Sequence, residues 1–205
     1  MILDHSSHIS MSLLSDQGER KYLNQKERKR FYKALDILKE LSERTFCETI
    51  YWTGCRPSEA LELEFMRVNI EEAFLVFRSL KKHGKNKGKE FRTVPIPRSF
   101  AKLLNQAHGV IKLQKQKNAD LLRRLWKFGR QKGWRLVKLV MTKAKIFGIR
   151  ASARGLRHGF GIHAILSGVP ETRLQKWLGH SSLRTTAIYV QAVGYEDRKL
   201  ASRMW

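Results

Sequence analysis

The sequence predicts a mostly helical α+β domain with one small antiparallel sheet. Three observations lead there. Apolar residues recur at helical spacing in several segments, each bounded by glycine or proline. Two short runs rich in β-branched and aromatic residues, 73–80 and 91–97, flank a loop of lysine and glycine, which is the pattern of a hairpin. A chain of 205 residues with 42% apolar content is long enough to enclose a sizeable core.

Taken in order, residues 1–20 are serine-rich and weakly patterned, and read as a flexible N-terminal arm. They lack a basic start followed by an apolar core, so no secretory signal is expected. Asn24 followed by Glu27 forms a capping-box pattern, and Phe31, Leu35 and Leu38 then predict a helix over 25–42. A second helix is predicted over 45–52, stopped by Gly54. Pro57 suits the first turn of a third helix, which leaves Arg56 at the junction. A cation is unfavourable at a helix N-terminus, so Arg56 is either a surface cap paired with Glu59 or is kept there for another purpose.

The hairpin follows, its second strand stopped near an edge by Pro95 and Pro97. Its loop carries Lys81, Lys82, Lys85, Lys87 and Lys89 among glycines, placed either to reach into a groove or to be solvated. A short helix is expected over 98–107, and a basic helix of open extent within 110–125. From Gly133 onward, Trp134, Val137, Val140, Met141 and Ala144 fall on one helical face, with Gly148 as the stop. Phe160 and Ala164 predict a helix ending at Gly168. Pro170 opens another that buries Leu174, Trp177 and Leu178 and ends at Gly179. His180 follows this stop, and Ser182 caps a last helix carrying Thr186 and Tyr189.

Charge narrows the partner. Lysine and arginine number 41 against 18 acids, giving +23. Between Lys112 and Arg157 fifteen basic residues face the single acid Asp120, a net of +14. Like charges at that density destabilise a compact state unless something neutralises them, so a polyanion is expected. A membrane surface is the competing polyanion, but no apolar run approaches the length that spans a bilayer. Double-stranded DNA is the expected partner; an RNA partner is compatible with composition only. The basic face of the helix after residue 129 adds Arg130, Lys132 and Arg135 to the hairpin lysines as candidate DNA contacts. Cys47 and Cys55, without a CxxC or paired histidines, read as core thiols rather than as a disulfide or metal site. A reducing, cytoplasmic, nucleoid-associated setting is the corresponding expectation.

Phosphate-seeking side chains then concentrate between Arg154 and Tyr189. Arg154 and Arg157 stand three apart, His180 follows a Leu-Gly pair, and Tyr189 comes nine residues later. These boxes, GLRHGF around Arg157 and LGHSS around His180, join TGCRPSEALEL around Arg56 and the strand-borne lysine of LKKHG. Together they resemble the catalytic domain of the tyrosine recombinases, the phage integrase family, from about Tyr22 to Val193. Five boxes in the family's order make the resemblance specific.

The resemblance implies a tyrosine recombinase catalytic-domain fold over 21–194, with 195–205 as a tail that packs on a neighbouring subunit. It implies site-specific recombination through a 3′-phosphotyrosyl intermediate, with neither cofactor nor metal. Tyr189 is then the nucleophile, Arg56 and Arg157 clamp the non-bridging oxygens, Lys81 is the general acid with Lys82 as the alternative, and His180 assists. Two planar guanidiniums suit a phosphodiester transition state, whose charge gathers on those oxygens. His158 and His163 are assigned to packing or local hydrogen bonding.

Two departures from the family stand out. Its pattern has histidine, or sometimes lysine, where this sequence has Arg154, and arginine cannot act as a general base. Arg154 is therefore expected to add a phosphate contact, leaving His180 or water to take the tyrosine proton. The other departure is that residues 1–20 cannot supply the family's N-terminal DNA-clamping domain, so a partner recombinase subunit or a tetrameric synapse of this chain is expected to complete the grip. The alternative is a catalytically weakened DNA-binding protein of the same fold.

Overall fold

The structure, a computed structural model, describes residues 13–79 and 90–190 together with 201, 202 and 204. Residues 13–20 are not a free arm: Leu14 bridges Arg20 across a turn, and Leu13 is buried. Asn24 and Glu27 make the expected reciprocal cap on helix α1, Gln25–Lys33, with Glu27 N donating to Asn24 Oδ1 at 2.8 Å and Asn24 N to Glu27 Oε2 at 3.0 Å. The helix expected to reach residue 42 instead tightens into a 3-10 turn over Ala34–Ile37 and breaks at Leu38, whose backbone is extended and whose side chain is buried.

Helix α2, Leu41–Thr53, starts earlier than expected and runs through the centre of the fold, packing against helices on several sides. Phe46, Cys47 and Ile50 are fully buried along it. Gly54 closes α2 in the left-handed conformation, and α3, Pro57–Leu61, follows directly with proline in its first turn. The sheet is an antiparallel meander in the order β1 (Val68–Asn69), β2 (Phe74–Arg78) and β3 (Phe91–Pro95), with Phe77 opposite Arg92. Alternation along β3 turns Arg92 and Val94 inward while Phe91 faces out.

Helix α4 spans Arg98–His108. The basic helix after it, α5, is only Val110–Lys115 long, and the chain then turns irregularly to α6, Arg130–Lys143. Trp134 does not join the buried face of α6 and stands 62% exposed. Gly133 takes the core position instead: a Cβ there would lie 2.8 Å from the Phe46 ring, so the missing side chain sets how closely α6 approaches α2. The buried face then continues through Leu136, Val137, Val140 and Met141, and Trp134 is turned about 100° away from Gly133.

Helices α7 (Ala153–Leu166), α8 (Glu171–Leu178) and α9 (Arg184–Ala187) complete the chain. Leu174 and Leu178 are buried as expected, whereas Trp177 is half-buried. With Leu13, Tyr22, Phe160, Ile162, Ala164 and Tyr189 they form a second apolar cluster beside the main core. Burying leucines of this kind contributes about 1.5–3 kcal/mol each and fixes α8 on α7. Among the described residues no helix is long and apolar enough to cross a membrane.

Candidate active site

Three helix ends meet where the second apolar cluster borders the main core. At the first of them, Arg56 precedes α3, the unfavourable position for a cation noted above. Glu59 compensates: its carboxylate accepts from the Arg56 backbone N–H at 2.8 Å and from Arg56 Nη1 at 2.8 Å. The same carboxylate accepts from Arg92 on β3, at 2.7 Å from Nη2 and 3.3 Å from Nη1. Burial would raise the Glu59 carboxyl, but the charge and bonds of Arg92, followed by the Arg56 N–H and the charge of Arg157, hold it below the usual value. Arg92 also donates Nε–H to the Trp177 carbonyl at 2.8 Å, which ties the hairpin to the end of α8. Its side chain lies across Gly179, whose left-handed backbone, with φ +64°, ends that helix.

Arg157 occupies the gap between two other helix ends. Nη1 donates to the carbonyl of Gly54 and Nη2 to that of Leu178, both at 2.8 Å. These oxygens sit at the C-termini of α2 and α8, where carbonyls lack intrahelical partners and the helix dipole is negative, so one buried guanidinium caps both helices. Burial first, then the like charge of Arg56, push Arg157 down to about 10, which leaves it cationic at neutral pH.

His180 lies one residue past Gly179, with Nδ1 2.9 Å from Thr186 Oγ1. Its ring faces that of Tyr189 at 6.2 Å and 20°. Burial, followed by Arg157 and Arg56, pushes His180 down to about 3, so the ring is neutral. Tyr189 follows α9 and is 1% exposed. The Tyr189 hydroxyl lies 3.1 Å from Nδ1 of His158 on α7, and Nε2 of that ring receives Nε–H of Arg154 at 3.3 Å. Burial raises the Tyr189 phenol, and Arg157, Arg154 and Arg56 oppose it without cancelling it, so the resting group is a phenol.

Five residues named from the sequence, Arg56, Arg154, Arg157, His180 and Tyr189, are thus gathered at one place, held by α3, α7 and the segment after α8. Lys81 falls outside the described residues, as do Lys82, Lys85, Lys87 and Lys89. Most of the 195–205 tail does too. Arg130, Lys132 and Arg135 are exposed on α6, but Lys132 is engaged, with Nζ 2.7 Å from Glu43 and lying over the Phe128 ring.

Two residues escaped the sequence reading. His158 was assigned to packing or local bonding, yet its partner lies 31 residues away. Arg92 was not singled out, although strand alternation with Val94 and Ile96 already turns it inward.

Comparison with known proteins follows the same outline. A model of the Phage integrase family matches residues 21–194. Tyrosine recombinase XerA of Pyrococcus furiosus is 28% identical over 169 residues, which cover 80% of this chain and 55% of that protein. Tyrosine recombinase XerD of Xanthomonas axonopodis pv. citri is 31% identical over 179 residues, covering 81% and 56%. The crystal structure of XerA recombinase superposes with a TM-score of 0.71 at 24% identity, covering 89% of this chain and 64% of that one. XerH site-specific recombinase, bound to a palindromic difH substrate in a post-cleavage complex, gives 0.64 at 25% identity, covering 89% and 52%. The chain spans about half the length of the curated relatives it matches. Since the family match covers the whole described site from Arg56 to Tyr189, this chain belongs to the phage integrase family.

Proposed function

We propose that this chain is the catalytic unit of a site-specific DNA recombinase that cuts and rejoins DNA through a tyrosine. The observation that carries the reading is the convergence of Arg56, Arg154 and Arg157 on a single tyrosine hydroxyl, with His180 stacked against the same ring. Family membership and the similarity to XerH on its difH substrate support it.

In the reaction, the Tyr189 oxygen attacks the phosphorus of a phosphodiester, forming the O–P bond of a 3′-phosphotyrosine and breaking the bond to the 5′-oxygen. Lys81 supplies the proton that the 5′-oxygen takes. Arg157 has two N–H groups committed to Gly54 and Leu178, leaving three of its five donors for the non-bridging oxygens. Arg56, braced by Glu59, neutralises the same phosphate from the other side. His180, neutral and held through Nδ1 by Thr186, offers Nε2 to the phosphate. The phosphotyrosine conserves the energy of the broken bond, so rejoining to another 5′-hydroxyl is the same step reversed. A buried Tyr189 must leave His158 before it reaches phosphorus, so DNA binding and movement of the 180–190 segment are coupled in this scheme.

The assembly follows from the chemistry, because exchanging two duplexes takes four cleavages and therefore four copies, of this chain alone or with a related recombinase subunit. The exposed Arg130 and Arg135 of α6 and the hairpin lysines are the proposed backbone contacts. The test is covalent trapping on duplex DNA carrying a 5′-bridging phosphorothiolate, which releases a poor nucleophile and stalls rejoining. An SDS-resistant adduct that disappears in Tyr189→Phe is expected. A protein that binds such DNA but yields no adduct at any salt concentration is a DNA-binding relative, not an enzyme.

A further inference from the structure

We propose that Arg154 is a positioning residue for the nucleophile: by donating Nε–H to Nε2 of His158 it locks that ring as the Nδ1–H tautomer, so His158 donates to the Tyr189 oxygen. The proposal rests on the reading of Tyr189 as nucleophile.

The argument starts from what each group is able to do. A guanidinium has only donors, so at 3.3 Å from Arg154 Nε the Nε2 atom of His158 must be the acceptor and carry no proton. His158 is 3% exposed, which leaves no room for solvent to take the place of either partner. The one ring proton then sits on Nδ1, and Nδ1 faces Tyr189 Oη at 3.1 Å. The tyrosine oxygen is therefore the acceptor in this bond, and its own proton points elsewhere.

Two consequences follow. His158 cannot be the base that deprotonates Tyr189, because the nitrogen facing it already holds a proton. A donor aimed at that oxygen stabilises the phenolate more than the phenol, so the bond helps to generate the attacking anion. A residue at position 154 able both to give and to take a proton would leave the tautomer open; arginine closes it. The departure at Arg154 thereby acquires a role through His158 rather than by proton transfer.

The remaining surroundings agree. The charges facing His158 are Arg154 and Arg157 on α7 and Lys21 before α1, and those facing Tyr189 are Arg157, Arg154 and Arg56. All are positive. Burial first, and then those three cations, push the His158 imidazolium down to about 4, so the ring is neutral at working pH, as a single tautomer requires.

The test needs no DNA. Long-range proton–nitrogen correlation spectra of the histidine-labelled chain near neutral pH are expected to show His158, identified by its loss in His158→Asn, with a protonated Nδ1 and a bare Nε2. In Arg154→Met that pattern is expected to be lost to a mixture or to the opposite tautomer, and the pKa of Tyr189, followed by carbon-labelled tyrosine, is expected to rise. His158→Asn keeps an amide N–H where Nδ1–H was, so Arg154→Met should move Tyr189 less in that background, by the direct charge effect only. A protonated Nε2 in the unaltered chain, or an equal effect of Arg154→Met in both backgrounds, overturns the proposal. A chain that passes this test yet forms no adduct with phosphorothiolate DNA refutes the recombinase reading and leaves the tautomer assignment standing.

Discussion

Nη2 of Arg92 on β3 lies 2.7 Å from Oε2 of Glu59 on α3, and both side chains are buried. One carboxylate thus holds two guanidiniums, Arg92 and Arg56, and connects the hairpin, the first arginine box and, through Trp177, the end of α8. Glu59→Gln leaves those cations uncompensated. A loss of about 3–5 kcal/mol in urea unfolding is expected, the cost of breaking a buried pair from one side. Because the folded Glu59 carboxyl titrates below its ordinary 4.5, its stabilising contribution is complete above that value and lost as pH falls beneath it. Glu59→Gln should flatten that part of the stability profile, and an unchanged profile would contradict the assignment.

Histidines shape the next part of the profile. His108, 2.9 Å from Thr45 Oγ1, and His158 are each pushed by burial from 6.5 down to about 4. Between those values the unfolded chain binds protons that the folded chain refuses, so stability should rise with pH across this window and level off above it. Urea midpoints measured from pH 4 to 7 check the slope. His108→Gln, which keeps a polar atom near Nε2, should reduce it, and a flat profile in this range would show that the rings are not neutral.

Tyr189 rests on Gly161 so closely that a Cβ there would stand 2.7 Å from its ring. Gly161→Ala must therefore displace the ring. The expected outcome is a loss of about 1–3 kcal/mol from overpacking and faster nitration of Tyr189. Unchanged nitration would mean that the tyrosine does not occupy this seat in solution.

On α6, Arg130 and Lys132 are both exposed, but Lys132 already has Glu43 as a partner. If the face contacts phosphates, Arg130→Ala should weaken DNA binding evenly across sequences and lower the slope of log affinity against log salt by about 0.9. Lys132→Ala should change it less. Equal effects, or none, would place the contact face elsewhere.

Local backbone chemistry was the legible part of the fold. The Asn24 capping box, the Gly54 stop, Pro57 after Arg56 and the glycine before His180 each declare themselves within a few residues, and each stands where expected. The order of the boxes likewise brought Arg56, Arg157, His180 and Tyr189 together. Tertiary choices were not legible: Trp134 fits a helical stripe, but the close approach of Gly133 to Phe46 decides which face is buried. Arg92 and His158 act on partners 33 and 31 residues away, a relationship that periodicity does not carry. The break at Leu38 has the same origin, a buried side chain overriding helical spacing.

The central claim is that Tyr189 becomes bonded to DNA. Mass spectrometry of the proteolysed adduct from phosphorothiolate DNA tests it most directly. A nucleotide joined through its 3′-phosphate to the peptide containing Tyr189 is the predicted result; a nucleotide on any other residue, or an adduct that persists in Tyr189→Phe, would contradict it.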